Sequence, residues 1–231
     1  MLLLVASRYD QAAQSFVNQW ADHGVGLLTS QDLSMKGWHY EPGNPQESVA
    51  VVSGRKIAVH QIRGVLTRLP AVVEAELPQI VPHDRSYVSA EMTAFLSGWL
   101  SSLSCPLLNR PTATCLLGPN WSTQNWLLAA AQLGIPIQPI HQDIRLGSLP
   151  SHCATAGDAA VTVIGDRTLG DADPHLHTHA KRLAAIAGVN LLTAHFSNPT
   201  ATANLIGAEP WADITNLAIA TAIWNHITGE L

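Results

Sequence analysis

The chain has 231 residues, 47% of them hydrophobic and 13% charged, with a formal net charge of −5 at pH 7. The hydrophobic content excludes a disordered chain, and the negative balance excludes the basic footprint of a nucleic-acid binder. Charged residues stand at about half their usual share, so much of the surface is uncharged and suits a homodimer or a partner interface.

Residues 2–6 form a continuous apolar run, the pattern of a buried parallel strand. The run is too short for the apolar segment of a secretory signal and meets Arg8 and Asp10 at once. No apolar stretch reaches the length of a membrane span. Asp10 is placed to cap a helix with Ala13, Phe16, Val17 and Trp20 on its inner face. Gly24 stops that helix, and residues 25–28 read as a second strand, giving the β-α-β opening of an α/β layer. Gly37, Pro42, Gly43, Asn44 and Pro45 punctuate a loop, after which 48–52 and 56–61 flank a Ser53-Gly54 hairpin turn.

Residues 63–69 give another strand, carrying Arg63 and Arg68. The longest helix follows, with Val88, Met92, Phe95, Leu96, Trp99, Leu100 and Leu103 as its apolar stripe. A brief strand over 106–108 ends at Asn109-Arg110-Pro111. Ser122 caps a helix burying Trp126, Leu127, Ala130 and Leu133, and Gly134 closes it. Residues 135–140 read as a strand interrupted by prolines, and so near a sheet edge. Beyond a weakly periodic joint, 159–164 is a strand turning at Gly165-Asp166. Asp173 and Pro174 open a helix with Leu176, Ala180, Leu183, Ala184 and Ala187 inside. Strands over 189–196 and 204–208 and an apolar helix over 210–227 complete the chain. Cys105, Cys115 and Cys153 are an odd number at no metal-ligand spacing, which places the protein in a reduced, cytoplasmic setting.

The order of the strand Arg63-Gly-Val-Leu-Thr-Arg68, the helix bearing Glu91 and the turn Asn109-Arg110-Pro111 resembles the front of an ATP-grasp ligase. The most similar branch is that of the graspetide (microviridin-type) peptide ligases, with the ribosomal-tail glutamate ligases behind it. The resemblance covers residues 1–140 and returns more weakly from 159 onward. It implies an α/β fold with a pre-ATP-grasp-like α/β domain over 1–140 and an irregular joint over 141–157. Residues 158–231 would then be a reduced ATP-grasp-like α+β portion lacking the ATP lid.

The departures bear on cofactors. The family places a lysine near the start of the helix after the turn; here Cys115, Leu116, Leu117 and Gly118 precede Ser122. Beyond Pro139 the single lysine is Lys181. The metal-binding Glu-x-Asn pair of the family falls on Gly207-Ala-Glu-Pro210, which leaves Glu209 as a residual acid without its asparagine. Triphosphate and Mg²⁺ need charge-assisted donors and several carboxylate oxygens. No cofactor is therefore expected, and ATP with Mg²⁺ enters only under an alternative.

Five residues follow from the resemblance as partner-binding candidates: Arg63, Arg68, Glu91, Asn109 and Arg110. The three guanidinium groups, converging above one sheet end, would hold a carboxylate or phosphate by forked hydrogen bonds. The plain alternative is that the arginines pair with Glu74, Glu76, Asp84 or Glu91. Trp38, in a glycine-rich loop, is a sixth candidate, because tryptophan is favoured at binding hot spots. His175 and His179 share a helix face at i and i+4, so a metal is conceivable if Asp173, His141, His152 or His195 adds a ligand. The plain alternative there is a solvated helix start.

These readings favour a degenerate ATP-grasp-like protein that binds a peptide or protein partner in a peptide-modification or maturation pathway without using ATP. One alternative is an ATP-dependent carboxylate–amine ligase whose site is minimal or completed by a second subunit. Another is a small metal-binding protein built on His175 and His179.

Overall fold

The computed structural model describes residues 1–139 and 157–229, so nearly all of the expected joint at 141–157 lies outside the described residues. The fold is mixed α/β, in two compact units. One unit combines Met1–Asn120 with the segment from Asp213 onward, and the other is Trp121–Ala212. The cuts differ from the boundaries read at 140 and 158. The helix capped by Ser122 packs on the second sheet, and the last helix packs on the first.

The first unit is built on a four-stranded parallel sheet. Its strands are β1 (Leu2–Val5), β2 (Val25–Leu28), β5 (Gly64–Thr67) and β6 (Leu107–Leu108), in the order β2-β1-β5-β6. Between β2 and β5 lies the hairpin of β3 (Val49–Val52) and β4 (Arg55–Ala58). It turns at Ser53 and Gly54, both left-handed with φ of 50° and 72°, as a two-residue hairpin turn requires.

Helix α1 (Gln11–Gln19) is capped by Asp10, whose Oδ1 accepts the Ala13 N–H at 3.0 Å. Helix α2 (Arg85–Ser102) sinks Leu96, Trp99 and Leu100 against Leu3, Val5, Val65 and Leu107 on one face of the sheet. The last helix, α5 (Leu217–Thr228), meets α1 by stacking Trp224 on Trp20 at 5.0 Å. It also lies against β5 at Gly64, where an added Cβ would stand 2.1 Å from Ile227 Cγ2. Glycine in that strand is therefore a close-approach residue.

The second unit pairs two helices with an antiparallel sheet. Helix α3 (Thr123–Gln132) precedes β7 (Ala159–Ile164) and β8 (Arg167–Leu169). Helix α4 (Pro174–Ala187) follows, and then β9 (Leu191–Phe196) and β10 (Leu205–Glu209), in sheet order β10-β9-β7-β8. Trp126, Leu127, Leu176 and Leu183 from the helices and Val161, Val163, Leu192 and Phe196 from the sheet form its core. Among the described residues no second sheet stands between α3 and β7.

Two expected elements are corrected. The described residues 135–139 of the span read as a strand over 135–140 form none: only Ile137 bridges Leu205 beside the edge strand β10, since Pro136 and Pro139 have no N–H to donate. The final helix begins at Leu217 rather than Pro210, because Asn216 caps it by accepting the Ala218 and Ile219 N–H groups. No helix among the described residues is long and apolar enough to cross a membrane.

Gly64→Ala is expected to lower unfolding stability by about 1–3 kcal/mol through overpacking against Ile227. Combined with Ile227→Ala, the loss in chemical denaturation should be less than additive; full additivity would show that the contact does not constrain the strand.

Candidate functional site

A parallel sheet delivers every strand exit to one edge, and Ser7, Asp10 and Arg68 lie just past two of those exits. Arg68 follows β5 and is 7% exposed. Its Nε donates to Asp10 Oδ2 at 2.8 Å. Asp10 thus closes the start of α1 with one oxygen and holds a buried guanidinium with the other. Ser7, two residues past β1, donates its hydroxyl to Glu76 Oε1. Glu76 ends the 3-10 turn Glu74–Glu76 and is itself buried.

Beside this edge a groove of about 460 Å³ runs between α2 and the loops that leave β5 and β6. Small and hydroxyl-bearing side chains line it, among them Ala90, Thr93 and Ser97 of α2, with Val72, Thr112 and Cys115 opposite. Thr93 Oγ1 accepts the Val72 N–H at 3.0 Å and donates to the Ser89 carbonyl at 2.8 Å. The Leu116 N–H reaches the Pro70 carbonyl at 2.8 Å, tying the two loops together. The volume is in the range of small-ligand clefts.

The expected convergence of arginines does not occur. Arg63 and Arg68 stand at opposite ends of β5, about 16 Å apart at the rise of an extended chain. Arg63 lies beside the amino terminus, its N–H bonded to the Met1 carbonyl. Burial and then the Arg63 charge lower the pKa of that amino group. Arg110 turns back to the C-terminus of α2, donating to the Ser101 and Leu103 carbonyls at 3.4 Å, where a helix leaves acceptors open.

Glu91 is exposed on α2. The carboxylate that meets Arg68 is Asp10 instead. Asn109 is buried and donates to the Leu117 carbonyl at 3.2 Å, fixing the loop after β6. Trp38 packs edge-on to Phe95 and Trp99, and its Nε1–H donates to the Asp32 carbonyl at 2.8 Å. It packs against the core while staying partly exposed. Ser7 and Thr67 gave no sequence signal beyond their place at strand ends.

In the second unit Glu209, at the end of β10, is more than half exposed and meets His195 Nε2 at 3.3 Å. His175 is exposed and His179 half-buried, with Nδ1 buried and unpartnered. Among the described residues no three His, Cys, Asp or Glu side chains are grouped to hold a metal ion, while His141 and His152 lie outside them. Asp173 spends its carboxylate capping α4, accepting the His175 N–H at 2.9 Å.

Asp10→Ala removes both a helix cap and the counter-charge of a buried guanidinium. A loss of about 3–5 kcal/mol is expected in urea unfolding, against less than about 1 kcal/mol for Glu91→Ala at its exposed position. His179 gives a pH prediction. Burial first, then Arg182 and His175, hold its pKa below the ordinary 6.5. Above that value the ring is neutral folded and unfolded; below it the unfolded chain takes up the proton first. Stability present above pH 6.5 is therefore lost as pH falls toward the folded-state pKa. The urea midpoint should fall between about pH 7.5 and about pH 5.5 more steeply in the native chain than in His179→Gln.

No family model matches the chain, and no curated protein matches it in sequence. Solved structures do match in fold. The ATP-grasp ligase PsnB complexed with its minimal precursor superposes with a TM-score of 0.65 at 12% identity, over 97% of this chain and 98% of that one. Macrocyclase MdnC bound with precursor peptide MdnA, from Microcystis aeruginosa MRC, gives 0.64 at 12% identity, over all of both chains. The Chryseobacterium gregarium RiPP-associated ATP-grasp ligase, in complex with ADP and a leader and core peptide, gives 0.64 at 10% identity, over 100% and 97%. A PsnB structure also holds Mg and ADP. In this chain Glu209 has His195 for its ion-pair neighbour, Arg182 donates to the Leu133 carbonyl at 2.7 Å, and among the described residues no three His, Cys, Asp or Glu side chains are grouped. In architecture, the chain has the fold of the RiPP-associated ATP-grasp ligases.

Proposed function

We propose that this chain is an ATP-grasp-like protein that binds a peptide or protein partner in a peptide-modification or maturation pathway and does not turn over ATP. The observation that carries the reading is the end of β10. There a single carboxylate, Glu209, is shared with His195, and Trp211 stands two residues on. One carboxylate is a poor platform for Mg²⁺, which needs near-octahedral oxygen coordination.

The peptide partner is supported by the fold relatives, several of which were solved with precursor peptides. The groove beside α2 is the surface assigned to it, since its hydroxyls and small side chains suit an extended main chain. Arg68 and Asn109 act behind this surface, holding α1 and the loop after β6. A reduced, cytoplasmic setting accords with the free thiols of Cys105 and Cys115. A homodimer accords with the low charge and with exposed Val73, Val81 and Tyr87; light scattering at the monomer mass would overturn it.

Calorimetric titration with Mg-ATP and a labelled-ATP turnover assay with the partner present are expected to give no binding heat and no nucleotide consumption. Turnover would replace this reading by the ligase alternative, which the near-complete overlap with ligase chains favours. Ala90→Tyr fills the groove from an exposed helix position. It should weaken partner binding at least about tenfold and leave thermal stability unchanged.

A further inference from the structure

Glu76 is 5% exposed, and while Oε1 receives the Ser7 hydroxyl, Oε2 is buried without a hydrogen-bond partner. The Thr67 and Ser30 hydroxyls are likewise buried and unpartnered, in residues 2% and 0% exposed. So is Nε of Arg8, whose guanidinium sits over the Tyr9 ring. Strand register and the Ser7–Glu76 contact put these groups at the same end of the first sheet. Val5 pairs with Leu28 on one side and Thr67 on the other, and Ser7 and Ser30 each lie two residues beyond that row.

The gathering falls beside the β1–β5 junction. There the order β2-β1-β5-β6 reverses direction, the position at which open parallel sheets collect ligands. Buried polar groups are nearly always paired, and an unpaired carboxylate oxygen is among the costliest to leave so. Four such atoms at one sheet edge call for a ligand group that answers them. Glu76 Oε2 only accepts in its carboxylate form, the two hydroxyls accept as readily as they donate, and Arg8 Nε only donates. The complement is a positively charged donor beside a carbonyl oxygen.

We propose that this edge binds a primary ammonium group, with Glu76 as its charged acceptor, Thr67 beside it and Arg8 facing the ligand's carbonyl. The ammonium comes from the N-terminus of the partner peptide or from one of its lysines, so the proposal rests on the reading of a peptide partner.

The test is a titration of the full chain with glycinamide, with N-acetyl-lysinamide and with neutral N-acetylglycinamide, followed by NMR shifts of the Ser7 and Thr67 amides. Saturable shifts with either ammonium probe and none with the neutral one are expected, and the two amines tell a terminal from a side-chain source. Glu76→Gln keeps the shape and the Ser7 contact and should weaken binding about tenfold or more. Thr67→Val should weaken it less. No saturable shift with either amine, an equal response to the neutral probe, or undiminished affinity in both variants overturns the proposal. Partner capture without an amine response removes this inference alone. ATP turnover with an intact, Glu76-dependent amine response removes only the claim that nucleotide is unused.

Discussion

Parallel pairing of β1 with β2 and β5 is the constraint from which the first unit follows. Parallel neighbours cannot be joined by tight turns, so each connection crosses a face of the sheet and returns to the same starting edge. The crossing segments bury both faces, which is why Leu2, Leu3, Leu4 and Val5 are all inaccessible. The opposite edge receives all four exits. Asp10 reaches Arg68 because the chain leaving β1 must turn into α1 directly beside the exit of β5. The burial of Arg68 depends on that turn, since a guanidinium in this position needs a carboxylate.

The second unit obeys a different rule. Its antiparallel sheet takes α3 and α4 on one face, and the strands exit at both ends in alternation. Polar residues on its other face are therefore spread along the strands. Thr162 and Thr193 pair through their hydroxyls at 3.1 Å, and Thr193 also donates to the Trp211 carbonyl. His195 and Glu209 are left at the rim. Away from that pair, the contacts of Thr162 and Thr193 on this face are hydrogen bonds between neutral groups.

Much of the architecture was legible because local rules agreed with the packing. Asp10, Ser122 and Asp173 cap where their side chains predict, and Gly188 is the left-handed stop of α4 at φ of 65°; Gly24, at φ of 74°, closes not α1, which ends at Gln19, but the 3-10 turn Ala21–His23 after it. The site was far less legible. Sequence order places Arg63 and Arg68 on one strand, yet a strand has two ends and only one is the exit edge. Glu91 adjoins the stripe residue Met92, but one helical step rotates it to the solvent side. Arg110 was drawn away by open helix carbonyls, a backbone demand that no side-chain motif announces. Glu76 sits in a 3-10 turn, which is too short to show any period.

The stacking of Trp224 on Trp20 and the fit of Ile227 over Gly64 have a consequence for the order of assembly. The first unit is discontinuous: α5, which lies against β5 and Trp20, is made only after the whole of Trp121–Ala212. During synthesis the early sheet must wait with one face incompletely covered, while the inserted unit, continuous in the chain, has all its strands to hand. The late helix then acts as a clasp. A chain halted before residue 217 would hold every strand of both sheets and still leave Gly64 and Trp20 without the helix that packs on them.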